Sequence, residues 1–274
     1  MMDNRPIGLL DSGVGGLTVL RQIMRRLPNE NTIFIGDQAR LPYGTKSAAT
    51  ILQFGRQLVT FLQNQNVKLI VIACNTVTAV ALPRLQKEFA VPIIGVITAG
   101  SQAAVKATHN QKIGVIATPA TIESQAYQKG LQQLQPQIQV QGLATPEFVS
   151  LVESRQYHSV KTQAIVTQTL QPLLNCGMDT LILGCTHFPL LQPLIQQAVG
   201  QQVQIIDAGL ATANSVIAQL QQNQLLAAEH FAQHQFYTTG DPQKFLAIAN
   251  DWLAPFVIQA QHLDVSELEE QTND

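Results

Sequence analysis

Two cysteines occupy matching places in otherwise different stretches of the 274-residue chain. Cys74 follows the apolar run of "VIACNTVTA" and precedes Asn75 and Thr76, while Cys185 follows that of "LILGCTHFPLL" and precedes Thr186 and His187. A single buried thiol is by default a small hydrophobe. Two thiols, each between a strand-like run and a helix-like one, form a candidate pair of proton carriers. Helix N-termini favour a thiolate through their dipole and free amides. An unperturbed thiol already titrates near ~8.5, so modest help makes it a usable base near neutrality. Cys176, in "LLNCGMD", falls where a helix ends before a glycine and reads as core.

Other polar groups gather at similar strand ends. "DSGVGG" sets Asp11 and Ser12 ahead of Gly13, Gly15 and Gly16, a turn in which backbone amides can approach an anion. It is no dinucleotide loop, because Thr18 stands where G-x-G-x-x-G needs its last glycine. Tyr43 and Gly44, in "YGTKS", belong to no Walker loop, since no glycine immediately precedes Lys46. Zinc has no support from spacing: Cys185 and His187 are an i, i+2 pair, and C-x-x-C and H-E-x-x-H are absent. A Cys–His hydrolase, with Cys185 as nucleophile and His187 as base, accounts for one cysteine and leaves Cys74 unexplained. A non-catalytic amino-acid binder makes the twin thiols a coincidence.

The elements that must position these residues alternate. Continuous apolar runs at 6–10, 31–37, 68–73, 92–97, 112–117, 137–143, 179–184 and 203–208 predict strands covered on both faces. Helical spacing over 17–27, 47–64, 77–88, 122–134, 147–154 and 159–175 separates them. "IGLLDSGVGGLTVL" resembles "IGVIATPATIESQA" at an offset of 106 residues (113 − 7), and Cys74 and Cys185 lie 111 apart. The fold expected is α/β, with two similar doubly wound parallel-sheet domains facing each other across a cleft. The first domain is placed at 1–97 plus 208–265 and the second at 98–207, with "ITAGSQAAV" and "IDAGLATAN" at the crossings. The acidic residues 266–274 are expected to fray.

Charged residues are 12% of the chain and the net charge is −2, with no basic block. Nucleic-acid binding therefore has no electrostatic footprint. No apolar stretch approaches the roughly 18 residues of a membrane span, and the N-terminus lacks a signal-peptide pattern. Three sparse cysteines argue against a disulfide framework, so a soluble protein of the reducing cytoplasm is expected.

Together, "IGLLDSGVGGLTVL", "FIGDQARLPYGTKS", "ACNTVTA", "GVIATPATIES" and "LILGCTHFPLL" resemble the glutamate racemases over roughly residues 5–215. The resemblance implies cofactor-independent interconversion of L- and D-glutamate, supplying D-glutamate for peptidoglycan and so for the cell wall and cell shape. It implies that Cys74 deprotonates D-glutamate and Cys185 deprotonates L-glutamate, with Asp11 and His187 assisting and Glu153 on the second side. Ser12, Tyr43, Gly44, Asn75, Thr76, Thr118, Thr121 and Thr186, together with Asp11 and His187, are the implied substrate contacts. The family is commonly dimeric, which implies a homodimer. Two stretches depart from the usual family pattern: Ile97-Thr98-Ala99-Gly100 stands where "IEPG" is common, and Thr145-Pro146 where Cys-Pro is.

Overall fold

The computed structural model describes residues 2–157 and 159–271. Among these residues the strands are β1 (Ile7–Asp11), β2 (Thr32–Gly36), β3 (Leu69–Ile72), β4 (Ile93–Gly95), β5 (Lys112–Ala117), β6 (Gln139–Ala144), β7 (Thr180–Gly184), β8 (Gln204–Asp207), β9 (His234–Thr238) and β10 (Ala260–His262). They form two parallel sheets, ordered β10-β9-β2-β1-β3-β4 and β6-β5-β7-β8. β1, β2, β3 and β7 are buried along their whole length. That burial is why they read as unbroken apolar runs, since helices cover both faces of such sheets.

The order β6-β5-β7-β8 repeats β2-β1-β3-β4 strand for strand. β5 thus corresponds to β1 and β7 to β3, so the two sequence echoes are two copies of one topology. Strand order reverses at β1/β3 in one sheet and at β5/β7 in the other, the points where ligands gather in open parallel sheets. Leu10 pairs with Ile72, and Ala117 with Gly184. Ser12 and Cys74 therefore leave their strands at one level, and Thr118 and Cys185 leave theirs at one level.

The chain passes from the first sheet through helix Val96–Ala107 and returns from the second through helix Ala208–Gln222. The two crossings pack closely: a Cβ on Gly100 would stand 3.1 Å from that of Ala208. Asp207 caps the returning helix, its Oδ1 accepting the amides of Gly209 and Leu210 at 2.8 and 3.2 Å.

Three features differ from the sequence expectation. β9 and β10 extend the first sheet, yet "HQFYT" and "AQH" carry polar residues and are only partly buried, so no apolar run marks them. The helix expected over 122–134 is two, Pro119–Glu123 and Ala126–Leu134, broken where Gln125 adopts a left-handed φ of 56°. The tail expected to fray from 266 instead forms helix Val265–Glu270. Asp264 and Glu267 close a reciprocal capping box there, and Leu268 is fully buried in the cluster containing Leu58, Leu62 and Leu263. Residues 272–274 lie outside the described residues. Among the described residues, no helix is long and apolar enough to cross a membrane.

The packed tail makes a measurable claim. Leu268→Ala removes a fully buried side chain and should cost about 2–5 kcal/mol in urea denaturation; a frayed tail would leave the midpoint where it was.

Candidate active site

The carboxyl ends of the two sheets enclose a cavity of about 360 Å³, within the range of small-molecule sites. One wall is Ser12 after β1, residues 41–45 after β2, and Cys74, Asn75 and Thr76 after β3. The facing wall is Thr118 and Pro119 after β5, part of helix Pro146–Glu153 after β6, and Cys185, Thr186 and His187 after β7. Each sheet thus contributes three equivalent strand ends, and each contributes one thiol.

The two thiols have different company. Cys74 precedes helix Asn75–Glu88, and its Sγ lies 3.6 Å from Ser12 Oγ. Burial pushes the Cys74 thiol up to about 12, and the charge of Asp11 adds to that; the Val77 amide and Ser12 pull the other way. Cys185 Sγ stands 3.7 Å from His187 Nδ1, and His187 Nε2 stands 3.1 Å from Glu153 Oε1. Burial alone would depress His187, but its bonds to Cys185 and Glu153 outweigh it and hold the imidazole up at about 10. The second half-site is therefore a sulfur, an imidazolium and a carboxylate in series.

Threonine hydroxyls bridge the walls. Thr76 Oγ1 lies 2.9 Å from Thr118 Oγ1, which in turn lies 3.0 Å from Thr121 Oγ1. Below the cavity, Thr18 Oγ1 donates to the Thr186 carbonyl at 2.9 Å. The glycine loop fits against the second cysteine turn so closely that a Cβ on Gly15 would meet Thr186 Oγ1 at 2.2 Å. Glycine is required there for that approach, whatever the loop does with anions.

Not every expected residue reaches the cavity. Asp11 and Thr121 are buried behind its wall rather than on it. Asp11 Oδ2 accepts the Gly13 amide at 3.1 Å, and burial pushes its carboxyl above the usual range despite the nearby His187. It can act on Cys74 but does not touch the cavity. Tyr43 lines the cavity, but its hydroxyl turns away to donate to Asp37 Oδ2. Asp37 also takes Arg40 Nε at 2.6 Å and Thr239 Oγ1 at 2.7 Å. What residues 43 and 44 offer a ligand is therefore backbone, with the phenol as the anchor that fixes it. Sequence reasoning passed over Ser150, which lines the cavity one helical turn before Glu153; the i, i+3 spacing was the available signal.

Among the described residues, Glu153 and His187 are the ionisable ones on the wall besides the thiols and the Tyr43 phenol, and neither lysine nor arginine lines the cavity. Among the described residues, no three His, Cys, Asp or Glu side chains gather as metal ligands.

The chain matches the Asp/Glu/Hydantoin racemase family model over residues 7–216. It is 50% identical over 264 residues to a glutamate racemase of Latilactobacillus sakei subsp. sakei, covering 96% of each chain. A glutamate racemase structure from Bacillus anthracis superposes with a TM-score of 0.93 at 41% identity, covering 96% of this chain and 98% of that one. One from Francisella tularensis in complex with D-glutamate superposes with a TM-score of 0.91 at 37% identity, covering 97% of this chain and 100% of that one.

His187 makes a pH prediction. Its pKa is raised from 6.5 to about 10 in the folded chain, so between those values the folded protein holds a proton that the unfolded chain releases. This contribution to stability is complete below about 6.5 and fades as pH rises through the folded value. The urea midpoint of the native protein should fall faster from pH 7 to pH 10 than that of His187→Gln. Parallel pH slopes would show that the imidazole is not held protonated.

Proposed function

The chain belongs to the Asp/Glu/Hydantoin racemase family and, within it, to the glutamate racemases, and on that premise we propose that it interconverts L- and D-glutamate through two cysteine thiols without a cofactor. The observation that carries this reading is the placing of Cys74 and Cys185 on facing walls of one small cavity, each at the end of an equivalent strand. One cysteine, as thiolate, removes the α-proton and becomes a thiol. The other, as thiol, delivers a proton to the opposite face of the carbanion and becomes a thiolate. The charge on the protein is unchanged over the step, and solvent exchange resets the pair. Cys74 takes the proton from D-glutamate and Cys185 from L-glutamate.

Asp11 serves Cys74 from behind the wall. A thiolate and a carboxylate in one dry corner repel, so ionising Cys74 favours protonation of Asp11. His187 serves Cys185 as the balancing cation, and Glu153 fixes the imidazole through Nε2. The substrate's two carboxylates and ammonium are held by Ser12, Asn75, Thr76, Thr186 and the backbone at Tyr43 and Gly44, with Thr118 and Thr121 locking Thr76. Such preorganised donors stabilise charge as it develops beside a carboxylate. The product supplies D-glutamate for peptidoglycan in the cytoplasm, from a homodimeric enzyme.

The series Cys185–His187–Glu153 also has the order nucleophile, base and orienting carboxylate of a cysteine hydrolase. That alternative traps an acyl group on Cys185 and tolerates the loss of Cys74.

Two measurements separate these readings. Cys74→Ser and Cys185→Ser should each lower glutamate racemisation by at least ~10³-fold, whereas a hydrolase would keep its activity in the first variant. In deuterated water, racemised glutamate should carry deuterium at Cα. Protium retained there after ample turnover would sink the two-thiol scheme. Turnover of L-glutamate against L-aspartate fixes the side-chain length accepted.

A further inference from the structure

Asn75 is the first residue of helix Asn75–Glu88, next to Cys74, and its side chain lines the cavity. Its Oδ1 is already engaged: Tyr127, from helix Ala126–Leu134 of the facing domain, donates its hydroxyl there at 2.7 Å. Tyr127 is buried and does not line the cavity. Its ring lies in the core of the second domain with Ile113, Val115, Leu131 and Ile182. The ring edge also rests against the last residue of β7, because a Cβ on Gly184 would stand 3.1 Å from Tyr127 Cε2. Gly184 immediately precedes Cys185. One side chain therefore packs close to the residue before the second thiol and hydrogen-bonds the residue beside the first.

An amide has a donor end and an acceptor end. With Oδ1 held by Tyr127, the end left to the cavity is Nδ2, a donor. A carboxylate has only acceptors, so this orientation binds it and the flipped one repels it. Burial raises the titration of Tyr127, as does the charge of Cys185, so the phenol stays protonated and remains a donor across the working pH range.

We infer that Tyr127 is a positioning residue for the reaction: it fixes the Asn75 amide with its N–H groups toward the substrate carboxylate. The inference rests on the glutamate reading above and adds a residue that none of the sequence motifs marked. It also gives the cleft a directional contact between domains, since the bond forms only when the Cys74 turn is seated against the second domain.

Tyr127→Phe keeps the ring and its packing and removes only the hydroxyl. The variant should raise KM for both enantiomers of glutamate about tenfold or more, as expected for a weakened hydrogen bond to a charged group, with kcat held within about twofold. A structural role alone would not give that split. The second measurement is a double-mutant cycle with Asn75→Ala, read by calorimetric glutamate binding so that no turnover is needed. In the Asn75→Ala background, Tyr127→Phe should change affinity by less than about twofold, because its partner is gone. An unchanged KM, a fall confined to kcat, or the same loss in both backgrounds would overturn the assignment. Native turnover is read alongside, so a failure of the glutamate reading appears in the parent protein and a failure of this one only in the variants.

Discussion

On the two-thiol reading proposed above, one carrier takes a proton from one face of a tetrahedral carbon and a second delivers one to the other, so the two must stand on opposite sides of one small volume. The architecture meets that requirement. A single parallel sheet presents its strand ends on one rim and cannot surround a ligand from both sides. Here two sheets of the same strand order bring their switch points together, and each supplies one thiol to a shared cavity. The walls are held in register by short polar contacts: Thr76 with Thr118, Thr18 with Thr186, and Asn75 with Tyr127. Such bonds are individually modest, yet each has a narrow range of distance, so together they restrict how the two walls sit against each other.

The topology is symmetric but the chemistry is not. Cys74 faces Ser12 and has a buried carboxyl behind it, and its proton is held tightly. Cys185 faces an imidazole that is itself backed by a carboxylate. Cys74 is thus biased toward its protonated form, whereas Cys185 has a cation beside it. Coupled groups of this kind titrate as a set rather than singly. Asp11 and Cys74 share one proton more comfortably than none.

Much of the fold was legible because parallel strands buried on both faces must be apolar throughout. β1, β3, β5 and β7 therefore stood out, and with them the repeat that pairs Cys74 with Cys185. β9 and β10 were not legible, since polar, partly buried strands at the end of the first sheet carry no such run. The tail helix was hidden by its acidic composition, although Asp264 and Glu267 have capping-box spacing. Within the site, residue type marked the thiols and hydroxyls but not their direction. Tyr43 read as a substrate contact, whereas its hydroxyl is committed to Asp37. Tyr127 lies in no motif and reaches the site only through the packing of helix Ala126–Leu134. Orientation of this kind depends on partners distant in sequence, which local pattern does not encode.

Among the described residues neither lysine nor arginine lines the wall, which on the two-thiol reading bears on base strength. Cations are the most direct grip on a dicarboxylate, and they also generate a thiolate readily, as a nearby positive charge lowers a thiol pKa. A thiolate made that way is a weak base, because the field that frees the proton also discourages its return. Abstracting a proton from the carbon beside a carboxylate calls for the opposite, a sulfur that binds protons strongly. In the scheme proposed above, neutral donors, namely hydroxyls, an amide and backbone N–H groups, hold the carboxylates while leaving Cys74 at about 12. The His187 imidazolium is placed beside Cys185 and tied to Glu153, which offsets its charge. On the proposed reading the weakly charged wall is coupled to the chemistry: gripping the substrate with cations and keeping a strong thiolate base are competing demands, and a wall of neutral donors serves the base.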